Sequence, residues 1–167
     1  MRRPLFALFI ASALLLPSAS AAEAQTFRLG GQGVYASRTF ADAWGLGARA
    51  GVGIPGLPVQ LQGIFDYYWP DCPAGSGTCD SWSGVFNVLF TEGRTGPWFG
   101  LGAVYNQSRY PGVAEDGETT ETIEFNDWAF DITAGVVLDF LPVVHPFLDV
   151  RYEWYFGDAQ DQVVVGL

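Results

Sequence analysis

Apolar and polar residues alternate with a period of two along almost the whole chain after residue 25, and turn residues interrupt the alternation. Because successive side chains of a β-strand point to opposite faces, this pattern predicts strands with one apolar and one polar face. After the N-terminal segment, no run reaches the ~18 apolar residues that a transmembrane helix needs. The chain is therefore expected to be all-β, and in a membrane it would have to form a closed barrel.

The alternation divides into eight predicted strands, at residues 26–37, 43–54, 58–69, 80–91, 97–109, 123–140, 146–156 and 161–167. Most of these segments reach the ~9–11 residues that a tilted strand needs to cross a bilayer. The connections at 55–58, 93–96 and 141–145 are short and rich in Gly or Pro, whereas those at 70–80 and 111–122 are longer. Short turns on one side and longer loops on the other are typical of bacterial outer-membrane barrels.

The two faces of the predicted strands differ in size and polarity. One face carries large apolar and aromatic side chains and no charge, whereas the other carries Gly, Gln, Asn, Asp and Arg. An eight-stranded barrel is only just wide enough for side chains to fill its interior. The small polar set fits that space better, so we expect the apolar face to contact lipid. The alternative is a secreted, soluble, lipocalin-like barrel whose apolar face lines a ligand cavity.

The first 24 residues have the features of a secretory signal peptide. A positive start precedes the apolar run at residues 5–16, and Ala22-Glu23-Ala24 is an A-x-A cleavage site. Cleavage there leaves residues 25–167 as one mature domain, and an alternative site at 19–21 would move the cut by three residues. Export of the chain places its N-terminus in the periplasm, so the longer loops are expected to face outward.

The composition limits the function classes. Only 16% of residues are charged, against roughly 25% in soluble domains. The aromatic fraction of 16% excludes intrinsic disorder, since disordered chains are poor in aromatic residues. The formal net charge of −10 argues against a nucleic-acid partner, which requires a basic patch.

Trp and Tyr residues fall near the strand ends that adjoin the predicted outward loops. Amphipathic rings collect at membrane interfaces, where barrels carry aromatic girdles. A general preference of aromatic residues for β-strands would not sort them by strand end. The sequence therefore predicts an outer aromatic girdle of Tyr35, Trp44, Tyr67, Trp69, Trp82, Tyr105, Trp128 and Trp154.

Charged residues of both signs lie on the predicted inner face. Buried charges are tolerated only when they are paired, and arginine binds carboxylates well. Two interpretations stay open: a salt-bridge plug that fills the lumen, or the selective lining of a narrow ion path. The predicted lumen network consists of Arg28, Arg49, Asp66, Asp131, Asp139, Asp149, Arg151 and Glu153.

Cys72 and Cys79 lie in one predicted outward loop. An exported protein meets an oxidising environment, so a disulfide between them is expected. Two cysteines alone make a poor zinc site. No metal or other cofactor is expected.

The predicted loop at 111–122 is acidic, but it lacks the residue order of a calcium-binding loop. We expect a solvated loop, with divalent-cation bridging to lipopolysaccharide or a partner surface as alternatives. The acidic residues of this loop are Glu115, Asp116, Glu118 and Glu121, and Glu124 lies just beyond it.

Two segments, Phe147-Leu148-Asp149-Val150-Arg151-Tyr152 and the run from Trp98 to Asn106, resemble strands of the OmpA/OmpX-like porin family group. The resemblance covers the whole mature chain. It implies a monomeric, eight-stranded, antiparallel up-and-down transmembrane β-barrel in the bacterial outer membrane. It also implies lipid and lipopolysaccharide surroundings and insertion by the barrel-assembly machinery. Members usually end in an aromatic residue, whereas this chain stops at Leu167. Either the last strand is truncated, which we expect, or the barrel closes on a short strand.

The resemblance also requires catalysis to be considered, because some eight-stranded outer-membrane barrels deacylate lipid A with a His-x-Ser pair. Here His145 is followed by Pro146 and Phe147, and it lies in a predicted short turn. No nucleophile and base can be assembled around it. We therefore expect a non-enzymatic protein with a role in envelope integrity or surface interaction through its loops, with a narrow porin-like channel as the alternative.

Overall fold

Eight β-strands make up most of the chain that the structure, a computed structural model, describes: residues 27–38, 42–70, 79–91, 95–113, 119–138, 145–157 and 160–167. The predicted signal peptide, Cys72 and Asp139 lie outside these ranges. Within them, no helix is long and apolar enough to cross a membrane. The strands are β1 (Phe27–Arg38), β2 (Ala43–Gly53), β3 (Val59–Pro70), β4 (Asp80–Thr91), β5 (Gly96–Val113), β6 (Thr119–Val137), β7 (Phe147–Tyr155) and β8 (Gln162–Gly166).

Each strand pairs with its successor in antiparallel orientation, and β8 pairs with β1, which closes the sheet into a barrel. The prediction of an all-β, eight-stranded, antiparallel up-and-down barrel is confirmed. Six of the eight predicted strands lie within one residue of the observed bounds at both ends. The period-two alternation was sufficient to find these strands because each has one face outside and one inside.

The register of the barrel fixes how steeply the strands tilt. Arg28 on β1 is the register partner of Gly51 on β2. When register partners are followed from strand to strand around the barrel, the path returns to β1 at Arg38, ten residues after its start. With ~3.3 Å per residue and ~4.8 Å between strands, this shift corresponds to a tilt of about 40°. A strand of 11 residues such as β2 then rises about 28 Å along the barrel axis, close to the height of an outer-membrane apolar band.

The β5–β6 hairpin is longer than the sequence predicted. Pairing continues to Pro111 with Thr122 and, past an irregularity, to Val113 with Thr119, so the predicted loop at 111–122 was wrong over most of its length. The error arose because Thr and Glu were interpreted as loop residues, although β-branched Thr also favours strands. Glu121 and Glu124 therefore lie in β6, whereas Glu115, Asp116 and Glu118 fall outside the described residues. At its other end β6 stops at Val137, short of the predicted residue 140.

Large apolar side chains cover the outside of the barrel. Leu29 is 67% exposed, Trp44 69%, Phe86 56%, Phe99 61% and Ile132 52%. The side chains that alternate with them point inward and are buried. The predicted orientation of the two faces is confirmed, and it is opposite to that of the lipocalin-like alternative.

The interior also holds apolar side chains that the sequence analysis did not assign to it. One cluster lies on strands β8 and β1–β3 and another on β3–β7. These side chains fill space that small polar residues leave open, as an interior packed to normal protein density requires. Trp98 is also buried, against Gly135, where an added Cβ would come within 2.5 Å of the indole ring. The two clusters are Val34, Ala36, Ala43, Tyr68 and Val164, and Ile64, Val85, Val104, Ala129 and Tyr155.

Candidate functional site

An ion pair between Arg151 and Asp66 crosses the lumen. Arg151 is on β7 and Asp66 on β3, which are four strands apart in either direction and so face each other across the barrel. Both side chains are fully buried. Asp66 also accepts hydrogen bonds from the Gln32 amide and from the Tyr68 hydroxyl, the latter at 3.4 Å. The ion pair thus bridges the lumen, which is on the order of 16 Å wide between backbones.

A second ion pair links Arg49 on β2 to Asp149 on β7, with 2.9 Å between Nη2 and Oδ2. The Arg49 Nε donates a 2.6 Å hydrogen bond to the Gln32 carbonyl, and the guanidinium lies 3.6 Å from the centre of the Phe147 ring. Gln32 therefore connects the two ion pairs, because its amide donates to Asp66. The predicted charge network omitted Gln32, since a neutral side chain gives no pairing signal in the sequence.

Glu153 is held by neutral groups as well as by a guanidinium. Its Oε2 accepts a 2.9 Å hydrogen bond from the Tyr155 hydroxyl and another from the Gln162 amide. The Gln162 amide also lies 3.0 Å from the Tyr155 hydroxyl. Arg151 Nη1 is 3.8 Å from Glu153 Oε1. This part of the network joins β7 to β8, and the sequence offered no sign of the role of Tyr155.

Interior glycines let the polar side chains lie against the barrel wall. Gly47 pairs with Asp66, and an added Cβ at Gly47 would overlap the Asp66 carboxylate and lie 2.8 Å from the Phe65 carbonyl oxygen. Gly166 has the same relation to Asp149, its partner across β7 and β8. The two ion pairs therefore require glycine at positions 47 and 166, because a larger residue there would occupy the place of the Asp66 or Asp149 carboxylate.

The other residues of the predicted lumen network are placed differently. Asp131 is fully buried on β6, and its carboxylate interacts with the Asn87 amide and with the charge of Arg151. Arg28 is half-buried near the start of β1, at the short-turn end of the barrel, where its backbone lies opposite Gly51 of β2. Asp139 lies outside the described residues. The structure thus brings together five of the eight predicted residues through the two ion pairs and the contacts of Glu153.

The residues predicted to form the aromatic girdle all lie on the outer face. Trp44, Trp69, Trp128 and Trp154 are each more than half exposed. Neighbouring rings of the predicted girdle touch, and Phe65, which the sequence analysis did not include, joins one series of contacts. The ring pairs are Tyr35–Trp44 at 4.8 Å, Tyr67–Trp69 at 5.4 Å, Phe65–Trp82 at 5.7 Å, Trp82–Tyr105 at 5.5 Å and Tyr105–Trp128 at 5.1 Å between centroids.

Tyrosine hydroxyls on the outer face are anchored at the loop ends of the strands. Tyr35 donates to Asp42 at 2.6 Å and Tyr152 donates to Asp161 at 2.8 Å. Tyr105 donates to Asn126 at 3.2 Å. An amphipathic ring with an apolar body and a tethered polar tip suits a boundary between lipid and water.

His145 and the two cysteines are the residues that the sequence analysis considered for catalysis, metal binding and a disulfide. His145 is exposed and directly precedes β7, at the short-turn end of the barrel. Within the described ranges, no three His, Cys, Asp or Glu side chains converge to hold a metal ion. Cys79 is buried just before β4, but Cys72 lies outside those ranges, so the disulfide stays a prediction.

Comparison with known proteins supports the fold. No protein-family model and no curated protein sequence matches the chain. The N-terminal β-barrel domain of OprF from Pseudomonas aeruginosa is similar in structure, with a TM-score of 0.53, 13% identity, and coverage of 85% of this chain and 95% of that one. Neisserial surface protein A (NspA) has a TM-score of 0.50, 16% identity, and coverage of 84% and 92%. Both are small eight-stranded outer-membrane barrels, and this chain shares their fold.

Proposed function

We propose that this chain is a monomeric, non-catalytic β-barrel of a bacterial outer membrane that acts in envelope integrity or surface interaction through its outward loops. Its partners would be outer-membrane lipid, lipopolysaccharide and, during insertion, the barrel-assembly machinery. The observation that carries the proposal is the inversion of polarity, with an apolar exterior around an ion-paired interior. A soluble protein with this exterior would expose far more contiguous apolar surface than monomers tolerate.

Three features support a membrane location. The exposed apolar side chains come from every strand, an 11-residue strand such as β2 rises about 28 Å along the axis, and aromatic rings gather toward the loop ends. The OprF and NspA barrels provide a precedent for such a fold in the outer membrane. Cleavage of the predicted signal peptide would release the mature barrel into the periplasm for insertion.

The interior supports a structural role over an open channel. The Arg151–Asp66 ion pair joins opposite walls, and the two apolar clusters occupy further parts of the cross-section. A conducting path would require these groups to separate. We therefore assign the function to the exterior and the loops, where binding residues of rigid scaffolds commonly lie.

The membrane assignment is tested by fractionation and by electrophoresis. The expressed chain should pellet with outer membranes, require detergent for extraction, and migrate differently on SDS gels before and after boiling. Extraction by buffer without detergent would contradict the proposal. A planar bilayer containing the purified barrel should show no stable conductance steps, and reproducible steps would favour the channel.

The loop function is tested by replacement rather than deletion of the barrel. Residues 71–78 are exchanged for a Gly-Ser linker of equal length, with the same exchange in the short turn at 55–57 as the control. Adhesion or sensitivity to envelope stress should change only in the loop variant. Equal behaviour of the two variants would argue against a role for this loop.

A further inference from the structure

The β5–β6 hairpin continues past its neighbours at the outward end of the barrel, the end at which β1 joins β2 and β5 joins β6. Pairing of β4 with β5 ends at Asp80 and Arg109, whereas pairing of β5 with β6 runs on to Val113 and Thr119. The two strands thus form a projecting ribbon, residues 109–113 and 119–125, beyond the aromatic girdle.

One edge of the projecting ribbon has backbone groups available for a further strand. β6 pairs with β7 from Ala129 onward, and just before this the Phe156 N–H donates to the Trp128 carbonyl. Of the described residues, none forms a strand beside residues 119–126 on the side away from β5. At ~3.3 Å per residue, this edge is about 26 Å long. Such an edge is a template for pairing with another chain.

The inner face of the projecting ribbon is apolar. Ile123 and Phe125 have the same phase of alternation as Ala129, which is buried inside the barrel, but they are 47% and 51% exposed. Tyr110 is the register partner of Ile123, and its ring packs edge-on against Phe125 with 6.2 Å between centroids. Because these three side chains lie beyond the girdle, lipid does not cover them. Exposed apolar side chains grouped on one face mark an interaction surface.

The outward end carries most of the negative charge of the chain. Residues 38–42, 71–80, 109–127 and 158–161 contain 11 of the 18 acidic residues and only two of the eight basic ones. Arg109 compensates Glu124 on the outer face of the ribbon, at 2.8 Å. The remaining excess would repel a second copy of this chain and attract a basic partner.

We infer that the open edge of β6 binds an extended cationic peptide segment as an added strand. Its apolar side chains would lie beside Tyr110, Ile123 and Phe125, and its basic side chains would face the other way, toward the acidic surroundings. In strand addition, main-chain hydrogen bonds give affinity and alternate side chains give specificity. A segment that alternates apolar and basic residues meets both conditions, because successive side chains of a strand point to opposite faces. The inference rests on the proposed outer-membrane location, which leaves the ribbon outside the lipid.

The test uses a fluorescently labelled nine-residue peptide in which lysine and valine alternate. It is titrated against the refolded chain in phosphatidylcholine nanodiscs, and anisotropy reports binding. Binding should saturate, and it should slow amide hydrogen exchange at residues 119–126. Affinity should fall roughly tenfold between about 0.05 and 0.5 M NaCl, because salt screens exposed charges. A peptide with proline at its centre, and one with glutamate in place of lysine, should each bind at least roughly tenfold more weakly.

Two variants of the chain locate the contact. Phe125→Thr retains a residue that favours strands but removes the exposed ring, and it should weaken binding roughly tenfold. Leu57→Thr is the control, since Leu57 is 59% exposed in a short turn at the opposite end of the barrel, and it should leave the affinity unchanged. A shift in migration on SDS gels between unboiled and boiled samples shows that each variant is folded.

Several outcomes would overturn the inference. Equal affinity for the proline peptide would exclude strand addition, and equal affinity for the glutamate peptide would exclude selection by charge. Unchanged hydrogen exchange at residues 119–126, or undiminished binding to Phe125→Thr, would place the peptide elsewhere. If that variant does not fold, Ile123→Thr takes its place. A chain that pellets with outer membranes but binds no peptide would refute this inference alone, whereas extraction without detergent would refute the proposed function.

Discussion

Replacement of Arg151 with Met should destabilise the barrel more than any other loss of a single ion pair. The guanidinium is fully buried and pairs with Asp66, which is also fully buried. Removal of one member of a buried pair leaves an uncompensated charge and costs about 3–5 kcal/mol. With a urea m-value of about 2 kcal/mol/M, the midpoint of unfolding should fall by about 2 M. Tryptophan fluorescence of the barrel in phospholipid vesicles provides the measurement.

Two controls separate charge from packing. Arg109→Met removes a guanidinium 2.8 Å from Glu124, but both side chains of that pair are about half exposed, so the loss should stay below about 1 kcal/mol. The double variant Asp66→Asn/Arg151→Met keeps an acceptor for Gln32 and removes the stranded charge of Asp66, while Glu153 still loses its guanidinium partner at 3.8 Å. It should recover part of the stability. A midpoint shift below about 0.5 M in the single variant, or no recovery in the double variant, would refute the reasoning.

Three further predictions follow from the interior, the exterior and the loops. In urea unfolding, Gly47→Ala should destabilise the barrel by about 1–3 kcal/mol, because the new methyl group meets a buried carboxylate. The control Gly33→Ala places its methyl group in open space and should change stability by less than about 0.5 kcal/mol. Phe86→Arg places a charge in the middle of the apolar exterior and should cost about 2–4 kcal/mol in vesicles but little in a soluble barrel. Intact-mass spectrometry without reductant should find the chain two hydrogens lighter than its reduced form, and two free thiols would exclude the bond between Cys72 and Cys79.

The sequence predicted the strands and their faces because both depend on local alternation. The β4 strand was predicted with its observed bounds, Asp80–Thr91, since Trp82 and Phe86 alternate there with Ser83 and Asn87. The β5–β6 hairpin was predicted too short because the Thr and Glu residues at 119–122 are compatible with either strand or loop.

The interior network could be predicted only as a set of residues. Arg151 and Asp66 are 85 positions apart, and their meeting depends on the ten-residue shift of register around the barrel. The pattern of apolar and polar residues does not determine this shift in register. Asn87, Gly102 and Asp131 also lie side by side on β4, β5 and β6, and no sequence pattern indicated this alignment. Trp98 was not recognised as an interior residue, because an isolated Trp is compatible with either face until the glycine opposite it is known.

The central claim, that the chain is an inside-out barrel in lipid, is tested most directly by quenching of single tryptophans by brominated lipid chains. One variant retains only Trp128, which is 60% exposed on the outer face, and the other retains only Trp98, which is 6% exposed in the interior. In vesicles of brominated phosphatidylcholine, the fluorescence of Trp128 should be strongly quenched and that of Trp98 should be nearly unchanged. Equal quenching of the two residues, or no quenching of Trp128, would contradict the account.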